Sequence, residues 1–300
     1  MNKIIKALKE PSRIVLRLLK LPIARLIPDK AYLKIKFRAL MKKKLDLKNP
    51  KSYNEKLQWL KLYDRKPEYT NMVDKCEAKK YVADKIGEEY IIRTLGVWDK
   101  FEDIDFSALP DRFVLKCTHD CGGMVFCKDK SMLDYEAAKE KLTKSLKRSY
   151  FYGEREWPYK NVRPRIIAEE FIETKTNDLP DYKFMCFNGR IGCVLICSDR
   201  FSDEGVHMSF LDRDWNLLPF GRREPRHTSP IPKPQCYDKM VELAEQLAAG
   251  IPFSRIDFYE ADGRILFGEI TFFPGGGFKE FVPNEWDYTL GSWLELPEKK

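Results

Sequence analysis

Strand-like runs at Ser254–Ala261 and Arg264–Thr271 are separated by Asp262-Gly263, which predicts two strands joined by a tight turn. A second hairpin is predicted by Asn188-Gly189, between Asp181–Phe187 and Ile191–Ser198. Phe113–Cys117 reads as an apolar strand with Val125–Cys127 as its return, and Arg165–Ile172 as a strand running into a polar turn. Ile91-Ile92 and Leu95–Val97 are short strand or loop elements. Helical patterning takes over elsewhere. Ser52 with Glu55 three residues later is a capping signature ahead of Leu57, Trp59, Leu60, Leu62 and Tyr63. Further helices are expected at Asp74–Lys85, stopped by Gly87, at Asp134–Tyr150 and at Tyr237–Ala249. Helices mixed with antiparallel hairpins indicate an α+β fold and argue against a doubly wound parallel sheet. The Pro- and Arg-rich stretch Pro219–Pro234 reads as a surface loop, and its Arg222, Arg223, Arg226 and His227 are either solvated or placed to meet an acidic substrate.

Charge divides the chain unevenly. Residues 1–50 hold fifteen Lys or Arg against Glu10, Asp29 and Asp46, a net of +12; the whole chain carries +8, so the remainder sums to −4. That pattern argues against a nucleic-acid-binding protein and for a basic leader on an ordinary domain. Residues 2–20 form a basic amphipathic pattern interrupted by Pro11, and a second basic apolar stretch, Tyr32–Leu45, includes Lys42-Lys43-Lys44. Such a leader suits the surface of an anionic membrane; equally, it suits two helices whose apolar stripe packs on the main domain. Apolar content of 43% over 300 residues is enough for a real core. No apolar run is long enough to span a bilayer, and no secretory signal is recognisable. Eight cysteines without a paired-loop framework fit a reducing compartment. The expected location is the cytoplasm, with peripheral attachment to the inner membrane face if the leader binds lipid.

Several residues suggest chemistry. Arg255 and Asp257 share one face of their strand, Glu269 lies on the partner strand, and Gly275-Gly276-Gly277 follow. Two carboxylates, an arginine and a glycine run suit a magnesium-bound polyphosphate, although a hairpin with a surface ion pair has the same signature. Lys116 ends a strand ahead of the loop Thr118–Gly123, where Gly122 and Gly123 would allow a phosphate close approach; the order is not that of a Walker A loop. Cys117, His119, Cys121 and Cys127 offer a competing zinc set, at a spacing that fits no common zinc pattern. Glu169, Glu170, Phe171 and Ile172 form a strand end suited to an adenine ring, or simply an end with solvated acids. Asp181 and Lys183 fall on one face of the next hairpin, as an ion pair or as site residues, and Arg200 ends its partner strand.

The order of these pieces resembles the ATP-grasp superfamily. More narrowly, residues 50–295 resemble the TupA-like ATP-grasp family of bacterial surface-polysaccharide gene clusters. The landmarks are Tyr53–Asp64 (YNEKLQWLKLYD), Asp74-Lys75, Leu109–Lys116 (LPDRFVLK), Glu169-Glu170, Asp181–Phe184, Arg255–Asp257 and Glu269–Pro274. The resemblance implies ATP held between two α+β subdomains, with Lys116 on its phosphates and Thr118–Gly123 covering them. It implies an adenine hinge at Glu169–Ile172, Asp181 at the nucleotide site, Mg²⁺ on Asp257 and Glu269, and Arg255 and Lys183 stabilising the transferred phosphoryl group. Thr271 stands where many ATP-grasp ligases carry Asn, so Thr271 is the candidate third metal ligand and the number of Mg²⁺ ions stays open.

The expected organisation is a helical extension at 1–50, an N-terminal subdomain at 51–108, a small ATP-grasp subdomain with the glycine loop at 109–172, and a large one with the metal site at 173–300. The expected activity is ATP-dependent carboxylate–amine ligation through an acyl phosphate, on an acidic sugar or amino acid of a cell-surface glycan. A glycan kinase, a glycosyltransferase and an inactive scaffold are the alternatives.

Overall fold

The computed structural model describes residues 11–175, 179–198 and 206–299. Arg200 and the start of the leader lie outside them. The described helices are α1 (Pro11–Leu18), α2 (Asp29–Met41), α3 (Tyr53–Tyr63), α4 (Glu68–Val73), α5 (Glu77–Ile86), α6 (Tyr135–Leu146), α7 (Phe151–Glu154), α8 (Tyr237–Ala248) and α9 (Glu285–Trp293). The described strands are β1 (Thr94–Trp98), β2 (Phe113–Cys117), β3 (Met124–Cys127), β4 (Ile166–Glu170), β5 (Asp181–Phe187), β6 (Arg190–Ser198), β7 (His207–Leu211), β8 (Phe253–Ala261) and β9 (Arg264–Thr271).

Two antiparallel sheets result, a small one ordered β1-β4-β2-β3 and a large one ordered β7-β6-β5-β8-β9. Both predicted hairpins close through residues of positive φ, Asn188-Gly189 (49° and 82°) and Asp262-Gly263 (50° and 80°), as a turn matched to right-handed strand twist requires. The capping box of α3 also forms: Ser52 accepts from the Glu55 amide and Glu55 accepts from the Ser52 amide.

Sidedness follows from the strand period. On one face of the large sheet, Phe184, Ile256 and Phe258 are fully buried, with α8 packed there through Phe184 on Tyr237. The other face carries Asp181, Lys183, Arg255, Asp257 and, at its far end, Phe187 and Phe253, which Tyr53 of α3 covers. The small sheet has its own core, built from Phe113, Leu115, Ile166 and Ala168 with Leu142 of α6.

Two boundaries differ from those drawn on the sequence. Residues 94–98 pair with β4 and so join the small sheet, not the subdomain at 51–108. The segment 1–50 is not a separate extension over its described part, because Leu33 and Phe37 of α2 are fully buried in the main core. Tyr32 and Lys36 of α2 both donate to the Gly153 carbonyl, and the buried Arg155 donates to the carbonyls of Ala24 and Ile27. By contrast, Ile14, Leu18, Leu21, Ile23 and Leu26 remain exposed. Replacing Phe37 by Ala is expected to cost about 3–5 kcal/mol, read as a lower urea midpoint of the whole domain. Unchanged melting would mean that α2 is not part of that core.

Candidate active site

A cleft of about 240 Å³ opens between the two sheets. Lys116 and Glu169 line it from the small sheet, and Asp181, Lys183, Asp257 and Glu269 from the large one. Lys75 and Lys79, together with Met72 and Val73, line it from the helical side.

The carboxylate pair depends on an irregularity in the hairpin. From the turn, Ala261 pairs Arg264 and the ladder continues regularly to Phe258 opposite Phe267; Gly268 is then passed over, and Asp257 pairs Glu269. Without that extra residue Glu269 would turn to the opposite face of the sheet. Gly268 leaves the room this needs, since a Cβ there would stand 3.1 Å from the Asp257 carbonyl.

Cations surround this pair. Arg255 donates to both Asp257 oxygens at 2.7 and 2.6 Å and to Glu269 Oε1 at 2.6 Å. Lys183 bridges Asp257 at 2.5 Å and Asp181 at 2.6 Å. Thr271 donates to Glu269 Oε1 at 3.1 Å. Burial opposes ionisation of Asp257, yet Arg255 and Lys183 outweigh it and hold its pKa below the ordinary carboxylate value. The Lys183 pKa is depressed by burial but raised on balance, chiefly by Asp257.

Across the cleft the signs are reversed. Glu169 is buried and accepts an ion pair from Lys116 at 2.5 Å and from Lys79 at 2.7 Å. Burial raises the Glu169 pKa, and the two lysines bring it below normal. For Lys79 burial prevails over Glu169, and its pKa is lowered. Lys79 was missed in the sequence. Only its position gave a signal: Lys75 and Lys79 are four apart, beside the buried Ala78 and Val82.

Other candidates sit elsewhere. Thr118 is buried, donates to the Arg163 carbonyl and accepts from the Arg165 amide. The amides of Gly122 and Gly123 donate to Asp120 Oδ1, so in this conformation they are not free for a phosphate. From this loop Cys121 lines the cleft, followed by Met124. Glu170 is exposed, Phe171 lies under the Arg112 guanidinium at 4.6 Å, and Ile172 packs behind the cleft with Ile92 and Tyr259. None of the three lines it.

The zinc alternative finds no geometry among the described residues. Cys117, Cys121 and Cys127 contact three different partners, the Leu142 carbonyl, the Tyr150 hydroxyl and the Asp111 carbonyl, and His119 contacts the carbonyls of Ser145 and Arg148. No three His, Cys, Asp or Glu groups among the described residues gather as a metal cage. Asp257 and Glu269 are a pair of oxygen donors, enough for an ion that takes its other ligands from water and phosphate.

Asp257 and Glu169 both have depressed pKa values in the folded protein. Their stabilisation is complete above their ordinary values, 3.8 and 4.5, and is lost as pH falls through the lower folded values. Melting temperature is therefore expected to fall steeply below about pH 4. Lys116→Met should lower stability at neutral pH by roughly 3–5 kcal/mol and flatten the acid limb, because Glu169 loses a partner. Parallel wild-type and variant curves would show that the pair does not hold Glu169 ionised.

A family model described as TupA-like ATPgrasp matches residues 55–295. Among solved structures, the chain is similar to the ATP-grasp ligase PsnB complexed with minimal precursor, at 13% identity and a TM-score of 0.40, over 71% of this chain and 56% of that one. It is also similar to D-alanine–D-alanine ligase from Bacillus anthracis complexed with ATP, at 14% identity and a TM-score of 0.38, over 67% and 53% of the two chains. A third likeness is D-cycloserine synthetase DcsG, at 15% identity and a TM-score of 0.39, over 74% and 70%. The chain thus spans little more than half the length of the first of these. No curated protein matches it in sequence. The family match covers most of the chain and agrees with the α+β architecture of two antiparallel sheets about one cleft: the protein belongs to the TupA-like ATP-grasp family.

Proposed function

We propose that the protein is an ATP-dependent carboxylate–amine ligase. The observation that carries this reading is the shared cleft, in which Lys79 and Lys116 face Asp257, Glu269 and Lys183, with Arg255 bonded to both acids. The lysines would bind the nucleotide phosphates, and Arg255 and Lys183 would neutralise charge on the phosphoryl group in transit. Asp257 and Glu269 fit Mg²⁺, which would screen phosphate charge when bound. Transfer of the terminal phosphoryl group to a substrate carboxylate gives an acyl phosphate and ADP; attack by an amine forms the amide and releases phosphate. Asp181 would brace Lys183, and Thr271 is positioned to orient Glu269. An acceptor acid on a cell-surface glycan rests on the family likeness alone.

A thermal-shift screen separates the chemistries. Mg-ATP and Mg-ADP are expected to stabilise the protein; stabilisation by UDP-sugars alone would point to glycosyl transfer, and ATP binding without acceptor-dependent phosphate release to a kinase or scaffold. Glu269→Gln should reduce turnover by at least about 10²-fold without loss of fold, and unchanged turnover would remove Glu269 from the site.

We further propose that the exposed face of α1 and residues 21–26 docks on an anionic membrane surface, which would place the enzyme beside lipid-linked glycan precursors. No described helix is long and apolar enough to cross a membrane. Leu18, Leu21, Ile23 and Leu26 are exposed at 55%, 48%, 66% and 78%, and Arg13, Arg17, Lys20 and Arg25 are exposed among them, the mixture that suits an interfacial helix. Each cation near such a surface is worth about 1 kcal/mol. Vesicles containing phosphatidylglycerol should sediment the protein, pure phosphatidylcholine should not, and Leu26→Glu should abolish the effect. Equal binding to both vesicles, or dimerisation that Leu26→Glu removes, would reassign the face.

A further inference from the structure

Two polar groups beyond Arg255 lack partners. Tyr53 is buried against the rings of Phe253 and Phe281, at centroid distances of 5.1 and 5.8 Å, and its Oη makes no hydrogen bond. The Arg222 guanidinium lies 5.2 Å from the Phe281 ring centre. Its Nε is shielded from water and unbonded, and it forms no ion pair with any described residue. The backbone there is fixed, because Gly221 and Val282 exchange two hydrogen bonds of 2.9 Å. Burial lowers the Arg222 pKa; Tyr53 and Glu224 raise it and the Arg255 charge lowers it, which places Arg222 in the same field as Arg255.

A guanidinium nitrogen shielded from water without a partner is costly. Arg155, whose Nε likewise makes no hydrogen bond, still reaches the carbonyls of Ala24 and Ile27, and Arg255 reaches Asp257 and Glu269, whereas the half-buried Arg222 makes no such bond to the described residues. Position adds meaning. Along β8 the cleft-facing residues run Tyr259, Asp257, Arg255, Phe253, and Tyr53 rests on the last of them. Tyr259 and Asp257 line the cleft, so Arg222 and Tyr53 lie past Arg255 from it.

We propose that Arg222 and Tyr53 form a subsite for the carboxylate of the second substrate, a uronic acid or amino acid. Naming that ligand the acceptor rests on the ligase reading; the anion site itself rests on the unpartnered groups. Arg222 would donate paired N–H bonds to the carboxylate and Tyr53 its hydroxyl, satisfying both.

Calorimetry and thermal shift with D-glucuronate and L-glutamate, with D-glucose as the uncharged control, test the assignment. At least one acid should bind and stabilise the wild type, and glucose should not. Arg222→Met should weaken acid binding about 10- to 100-fold, as expected for a hydrogen bond to a charged group. Tyr53→Phe should weaken it less while leaving the unliganded fold as stable as before or more so, since it deletes a buried hydroxyl without a partner. If Arg222→Met fails to fold, Arg222→Lys, which keeps the charge but loses the planar fork, serves with Tyr53→Phe. No acid binding to the wild type, or unchanged affinity in Tyr53→Phe and the Arg222 variant, would overturn the subsite. An acid that binds through Arg222 but, with Mg-ATP and an amine also supplied, releases no phosphate would sustain the subsite and defeat the ligase reading.

Discussion

The site depends on how a buried carboxylate is kept charged. Asp257 is almost fully buried, and an isolated ionised carboxylate in that position would take up a proton. Arg255 and Lys183 prevent this, and each reaches a second acid, Glu269 or Asp181. The result is a network of three acids and two bases with one formal negative charge to spare. The network therefore carries a net negative charge on the face that lines the cleft. Glu169, held by Lys79 and Lys116 across the cleft, is the complementary case: one acid and two bases, with a positive surplus facing the same space. Opposite surpluses on opposite walls are what a metal-bound polyphosphate requires.

Much of this was legible because local rules and tertiary structure agree. The turns at Asn188-Gly189 and Asp262-Gly263 and the Ser52 capping box formed where their chemistry placed them. The pairing of Arg255 with Asp257 followed from the strand period alone. The facing of Asp257 and Glu269 was not legible to the residue, because a regular ladder would set Gly268, not Glu269, opposite Asp257. Three of the described strand pairs carry such an irregularity, and the one at Gly268 reverses a side chain of the site. Nor could the sequence separate Lys79 from its neighbour Lys80, since both are helical lysines and only packing shows which one reaches Glu169.

The glycine loop misled and the basic leader stayed undecided for related reasons. Gly122 and Gly123 read as free amides for phosphate, but Asp120, two and three residues earlier, accepts from both. Short Asp side chains compete for nearby backbone N–H groups, and that competition is invisible in a search for glycines alone. The two basic stretches of the leader suit either a membrane surface or packing on the main domain, and their described parts differ. The apolar residues of α2 are consumed by the core, whereas those of α1 and residues 21–26 are left outside. Both are basic and apolar, but α2 carries the aromatics Tyr32 and Phe37, and contacts from Gly153 and Arg155 pin residues 24–36 in place.

One strand orders the chemistry. Alternate residues on a strand stand about 7 Å apart, so Tyr259 to Arg255 spans roughly 14 Å on one face of β8. Within that length the lining changes from aromatic, at Tyr259, to anionic, at Asp257, to cationic, at Arg255, before Phe253 and Tyr53 close the end. A flat aromatic group, a metal–phosphate and an oxyanion would meet these three environments in turn. In the proposed ligase such a sequence would set the direction of phosphoryl transfer along the strand, from the Tyr259 end toward Arg255, without a protein nucleophile. The helices that cover the Phe253 end therefore bound the space left for whatever accepts the phosphoryl group, and differences in that cover, not in the cleft, are where substrate choice in this fold would be set.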